Sequence, residues 1–297
     1  MTYAPADNYM LVLWDHGASW YGICWDDSSV LPDGEADCLQ MHEIADALAS
    51  SCDGLPGGKL QILGFDACLM AGIEVAYEFR SYAEYMVAAV TTIPREGWAY
   101  DVVVNEMDAM DEPSPLEVGT LIVDTYIEKF SPCAGGGIGG YPYASLSVID
   151  MSKMDALIEE GMQPFSTALL GHVSEGARKG YVQSAEACTP QIQYLGELDP
   201  FIDLGLFAEA ISVRYTDMAD TCDDVVDLVG EAVVYFDYVT SDSGGCMVTT
   251  GMSIWYTCSW SHLHDYGGLE DYSTLDFGQD TDWDEFLTAL SEQPLYA

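Results

Sequence analysis

The 297 residues carry 8 Lys and Arg against 50 Asp and Glu, a formal net charge of −42. Such a balance excludes nucleic acid as a partner, because phosphate binding needs a basic stripe. No run of 18 apolar residues is present that would span a membrane, and 49% hydrophobic with 12% aromatic residues exclude a globally disordered chain. A field of this sign attracts cationic substrates; it equally describes a solvated acidic surface kept soluble in a salty medium. No basic stretch leading into an apolar run opens the sequence, so no signal peptide is read there. The length suits one large α/β domain or two smaller ones.

In chain order, the apolar run 9–14 reads as a strand that delivers His16 and Gly17 at its C-terminal end. Residues 18–37, rich in Trp, Asp, Ser and Gly, read as a loop, and 39–48 as a helix closed by the Gly and Pro of 52–58. Leu60, Ile62, Leu63 and Phe65 form a buried strand, and Leu69, Met70, Ile73, Ala76 and Tyr77 predict a helix starting directly after it. Cys68 is thereby expected at a helix N-terminus, where a thiol pKa of about 8.5 can fall toward roughly 3.5–7.5. A third strand is predicted over 85–90, and the alternation implies right-handed crossovers in a parallel sheet.

Further on, 115–129 is an amphipathic helix. The glycine-rich stretch 133–140 lacks the Gly-Lys-Ser/Thr ending of a phosphate cradle. A strand over 145–150 and a helix over 154–170 follow, then helices over 207–219 and 223–238, one or two strands within 246–256, and a last helix over 283–290. No internal repeat is evident. Nine cysteines, at 24, 38, 52, 68, 133, 188, 222, 246 and 258, leave eight for up to four bridges in about 105 connectivities if Cys68 stays reduced, a composition leaning toward export.

Two neighbouring parallel strands would bring His16 and Cys68 to one sheet edge, where ligands usually bind. Alone, a cysteine is more often a buried structural residue and a histidine more often a satisfied one. Together, a cysteine nucleophile with its histidine roughly 50 residues upstream has the caspase-like spacing. His16 is the candidate general base, able to take the thiol proton and return it to a leaving amine. Gly17 lets the backbone approach a substrate closely. Asp66, two residues before the cysteine, is a turn or capping residue on its own evidence. His262, His264 and Asp265 near Cys258 match no zinc spacing and read as an exposed loop.

The blocks Trp14-Asp15-His16-Gly17-Ala18-Ser19-Trp20 and Gly64-Phe65-Asp66-Ala67-Cys68-Leu69-Met70-Ala71 resemble the two catalytic blocks of the clostripain-like cysteine peptidases. The likeness continues through residues 146–154, 201–205, 251–256, 272–277 and 283–287, and so covers nearly the whole chain. It implies a caspase-like three-layer α/β sandwich with a mostly parallel central sheet. It also implies a His16/Cys68 dyad and an oxyanion hole made by the N–H groups of Gly17 and Cys68. By the same resemblance Asp66 lines a pocket for a basic side chain, so the substrates expected are proteins or peptides with Arg or Lys before the cut bond.

The chain departs from the family pattern at two places. Ser19 stands where a second glycine is usual, and residues 89–98 lack the acid that completes the pocket in some relatives. Glu96 is the candidate substitute, with Arg95 beside it to neutralise it. No cofactor is required for this chemistry; some relatives depend on calcium, so calcium stays an alternative here, and with no EF-hand-like loop the abundant acids alone do not place an ion. The organisation expected is a catalytic core over 1–150 and a region over 151–297 that completes the core and adds a helical subdomain. The strands that usually precede the histidine block are missing, so a native N-terminal extension with an export signal is expected, placing the protein outside the cell or on its surface. The alternatives are a caspase-like peptidase of another specificity and an inactive remnant serving as an acidic binding module.

Overall fold

The computed structural model describes residues 5–30, 36–131, 144–173, 177–186, 201–239, 249–257 and 268–293. The strand β4 (Leu60–Asp66) is interior to a five-stranded sheet, and its seven residues are all buried, as a short continuous apolar run demands. β1 (Met10–Trp14) runs parallel to it on one side, in register from Met10 opposite Ile62 to Trp14 opposite Asp66. β5 (Ala83–Ala88) runs parallel on the other. Two further strands add antiparallel, so the sheet is mixed, with three parallel strands at its functional end. β1 is the outermost of them, and its Met10 and Trp14 are exposed.

Alternation along β4 divides the core between two layers of helix. Leu63 and Phe65 join α1 (Met41–Cys52) and α2 (Ile73–Phe79) in one cluster. Ile62 faces α3 (Tyr100–Ala109) and α4 (Pro115–Phe130) in the other. Gly64 shares the second face and leaves room for Trp98, whose ring would lie 2.8 Å from an added Cβ. The result is the three-layer α/β sandwich expected. The fourth helix opens on a capping box, Ser114 with Glu117, and on Pro115.

Several elements differ from the sequence reading. The segment expected as a loop contains an antiparallel hairpin, β2 (Ile23–Val30) with β3 (Ala36–Leu39). β6 (Ser145–Asp150) falls where predicted, but the helix after it carries a π segment, Leu157–Met162, between α5 (Met154–Ala156) and α6 (Gln163–His172). α7 (Ala177–Glu186), β7 (Phe201–Asp203) and α8 (Leu204–Arg214) lead to α9 (Ala219–Ala232). The helix predicted over 223–238 then breaks: β8 (Val233–Tyr238) leaves α9 with no linker and pairs with β6. The helical spacing of Val225 and Val229 runs straight into Val233, which hid a segment whose β-branched and aromatic residues favour a strand.

β9 (Ser253–Trp255) pairs with β7, and α10 (Gly268–Tyr272), α11 (Asp276–Asp280) and α12 (Trp283–Ser291) close the chain. Cys24, Cys38, Cys52, Cys68 and Cys222 are free thiols; Cys68 is reduced as expected, and the bridges allowed for at Cys24, Cys38, Cys52 and Cys222 are not formed, while the other four cysteines lie outside the described residues. The glycine-rich stretch and the His262–Asp265 cluster lie outside them too. Among the described residues no helix is long and apolar enough to cross a membrane.

Candidate active site

Parallel pairing of β1 with β4 ends at Trp14 and Asp66, and the chain leaves both strands at the same edge. His16 and Cys68 each follow two residues later, so the segments that carry the candidate base and nucleophile meet at that edge. Gly17 shows how closely. A Cβ built on it would lie 2.7 Å from the carbonyl oxygen of Cys68, 2.9 Å from Ala67 Cβ and 3.0 Å from Met70 Sδ. Only glycine can hold the histidine segment this close to the backbone of the cysteine.

His16 is exposed, and its backbone is fixed at both ends. Its N–H donates to Asp15 Oδ1 at 2.7 Å, and its carbonyl accepts from Cys24 N–H at 3.0 Å, tying it to the hairpin. Ser19 follows with a φ of 55° and a buried hydroxyl that has no partner among the described residues, at the position where the family pattern has glycine. A left-handed backbone there suits glycine, so the serine strains this turn.

Cys68 does not stand at a helix N-terminus. α2 begins only at Ile73, because the chain first runs beside the end of β5: Leu69 N–H bonds the Thr91 carbonyl at 3.0 Å and Ala71 N–H the Ala89 carbonyl at 2.9 Å. Leu69 carries a φ of 65°, so the cysteine sits on a tight, strained turn. Its sulfur is half-buried and accepts from Ile93 N–H at 3.2 Å. Burial pushes the thiol pKa up, and the Ile93 N–H only partly offsets this. The resting group is therefore a thiol that needs a base, rather than a thiolate held by a helix.

Asp66 is 1% exposed. Its Oδ2 accepts from Trp98 N–H at 3.0 Å and from Tyr100 Oη–H at 2.8 Å, while Oδ1 has no partner among the described residues. Burial raises its pKa; the bonds from Trp98 and Tyr100 and the charge of Lys129 pull the other way. Gly97, at a φ of 57°, lies against the carboxylate where any Cβ would collide with it. Glu96 and Arg95 are both exposed, and neither side chain is hydrogen-bonded to Asp66; Glu96 meets the site through its carbonyl, which accepts from Lys129 Nζ at 2.9 Å. Tyr100 and Lys129 were not found by sequence reading, since neither belongs to a local pattern. Among the described residues no three His, Cys, Asp or Glu side chains converge to hold a metal ion.

The aspartate of the block at 201–205 has a structural role. Asp203 is buried, caps α8 through Leu206 N–H, and accepts from the Thr249 and Thr250 hydroxyls and Thr250 N–H.

The sequence model of the clostripain family matches residues 1–289. The chain belongs to the clostripain family. Clostripain from Hathewaya histolytica is 36% identical over 118 residues, a match spanning 35% of this chain and 21% of that protein. The chain thus aligns with about a fifth of the length of that curated relative. A secreted C11 cysteine protease from Bacteroides thetaiotaomicron, solved with an irreversible peptide inhibitor, superposes with a TM-score of 0.63 at 21% identity, covering 96% of this chain and 75% of that one. An inactive zymogen C11 protease from Parabacteroides distasonis gives 0.58 at 19%, covering 93% and 71%. These neighbours share the caspase-like clostripain fold.

Proposed function

We propose that this clostripain-family chain is a cysteine endopeptidase in which His16 and Cys68 act as a dyad. The observation that carries the reading is the contact of Gly17 with the Cys68 backbone, which puts the two blocks edge to edge. His16 takes the Cys68 proton, the thiolate attacks the peptide carbonyl, and the N–H groups of Gly17 and Cys68 face the developing oxyanion. The C–N bond then breaks as the imidazolium protonates the leaving amine, and water hydrolyses the thioester with His16 again as base. The nucleophile, the base and the oxyanion donors in these steps all belong to the chain itself, so the steps written here use no cofactor.

Asp66 is the floor of the specificity pocket in this reading, taking a Lys or Arg side chain. A buried carboxylate with one unpartnered oxygen supports it, as does a net charge that draws cationic peptides. Export fits the relative named as secreted.

Labelling with matched acyloxymethyl ketones ending in a basic or an uncharged residue tests the whole reading. Covalent modification of Cys68 by the basic probe, absent after His16→Ala, is the expected result. Labelling by neither probe would leave an acidic binding module; labelling by the uncharged probe alone would mean a caspase-like peptidase of another specificity.

A further inference from the structure

The two oxygens of Asp66 are not equivalent. Oδ2 already holds two donors, and Oδ1 holds none among the described residues. The asymmetry is built by Lys129, whose Nζ donates to the consecutive carbonyls of Glu96, Gly97 and Trp98 at 2.9, 2.8 and 3.1 Å. The Gly97 carbonyl and the Trp98 N–H belong to one trans peptide and point in opposite directions. Fastening the carbonyl on Lys129 therefore aims the N–H at Oδ2. Tyr100 adds a hydroxyl whose pKa is pushed up by burial and by Asp66 itself, so it stays a proton donor.

We infer that Asp66 is a one-oxygen receptor, set up by Trp98, Tyr100 and Lys129 to select a lysine ammonium over an arginine guanidinium. This rests on the reading of Asp66 as the pocket floor. A guanidinium binds a carboxylate best through two parallel N–H bonds, one to each oxygen. Here one oxygen is taken, so arginine is left with a single bond. An ammonium is a compact point charge whose attraction to one oxygen does not depend on a two-bond geometry. Tyr100 and Lys129 are positioning residues: they act on the substrate through Asp66.

The test is kcat/KM on peptides identical except for Lys, Arg or norleucine before the cut bond. The wild type is expected to favour Lys over Arg by about tenfold, the worth of one charge-assisted hydrogen bond. Tyr100→Phe should lower that ratio by freeing a lone pair on Oδ2. Lys129→Met should raise KM for both cationic peptides by more than it does for the norleucine peptide, with a smaller change in kcat. Asp66→Asn separates the two levels of the argument. If it removes the preference for cationic over norleucine peptides while the wild type favours Arg, the pocket stands and the one-oxygen receptor falls. If it affects all three peptides equally, the pocket reading itself falls. An unchanged Lys-to-Arg ratio in Tyr100→Phe would overturn the role given to Tyr100.

Discussion

Gly17 lies so close to Cys68 that a methyl group on it would reach within 2.7 Å of the cysteine carbonyl oxygen. None of its three neighbours can yield easily, because Ala67 and Met70 are buried and the carbonyl belongs to the turn that presents the sulfur. Gly17→Ala is therefore expected to push the histidine segment off the cysteine turn. A displacement of about 1 Å can cost roughly a hundredfold in rate. The measurement is kcat/KM beside the melting temperature. Unaltered activity in a normally folded Gly17→Ala protein would refute the close approach.

The proposed dyad makes a second expectation. Because burial keeps Cys68 a thiol, a separate base has to remove its proton. Cys68→Ala and His16→Ala should each reduce peptide hydrolysis to background, with the double variant hardly worse than either. Substantial turnover by Cys68→Ala would sink the nucleophile assignment.

How the sequence spoke for this edge follows from its physics. Short apolar runs before His16 and before Cys68 mark two strands, and the helical crossover between them makes such strands parallel neighbours, so their shared edge was legible. The local geometry was not. Helical spacing of Leu69, Met70 and Ile73 suggested an immediate helix, but those side chains are apolar because the turn is buried, and its N–H groups bond carbonyls near the end of β5. Long-range pairing overrode local periodicity again at β8, and in the hairpin after His16. Tyr100 and Lys129 reach Asp66 and its covering segment from 34 and 32 residues away, a relation no local pattern records.

A third expectation concerns Glu74 in α2. It is fully buried, and its Oε1 accepts from Trp255 N–H at 2.7 Å and Tyr272 Oη–H at 3.0 Å, so it joins the cysteine region to the C-terminal segment. Its Oε2 has no partner among the described residues, and burial raises its pKa to about 7. A carboxyl whose folded pKa lies above its unfolded one favours folding fully below the unfolded value. That contribution declines as pH rises and is lost by the time pH passes the folded value. The shift corresponds to about 3 kcal/mol between pH 4.5 and 7. Denaturant titrations of the wild type and Glu74→Gln across that window should differ by a slope of this size. The difference also cancels Asp284, whose pKa is raised to about 7 by burial and by Glu285. Parallel curves would show that Glu74 does not titrate there.

The last expectation is that the active protein stays a single chain between its two catalytic blocks. From Gly17 to Ala67 the sequence contains one Lys or Arg, Lys59, so a peptidase cutting after basic residues has one bond there to attack in itself. That bond leads straight into β4. Leu60 N–H is held by the Tyr82 carbonyl at 2.9 Å, and Gln61 N–H by the Tyr9 carbonyl at 2.9 Å. Presenting Lys59–Leu60 to an active site would mean pulling out an interior strand and exposing a wholly buried run, which amounts to global unfolding. Intact-mass measurement of the active enzyme and of Cys68→Ala should give the same unbroken chain over this interval. A cut between residues 17 and 67 that appears only when Cys68 is present would contradict both the intact chain and, unless it falls after Lys59, the preference for basic residues.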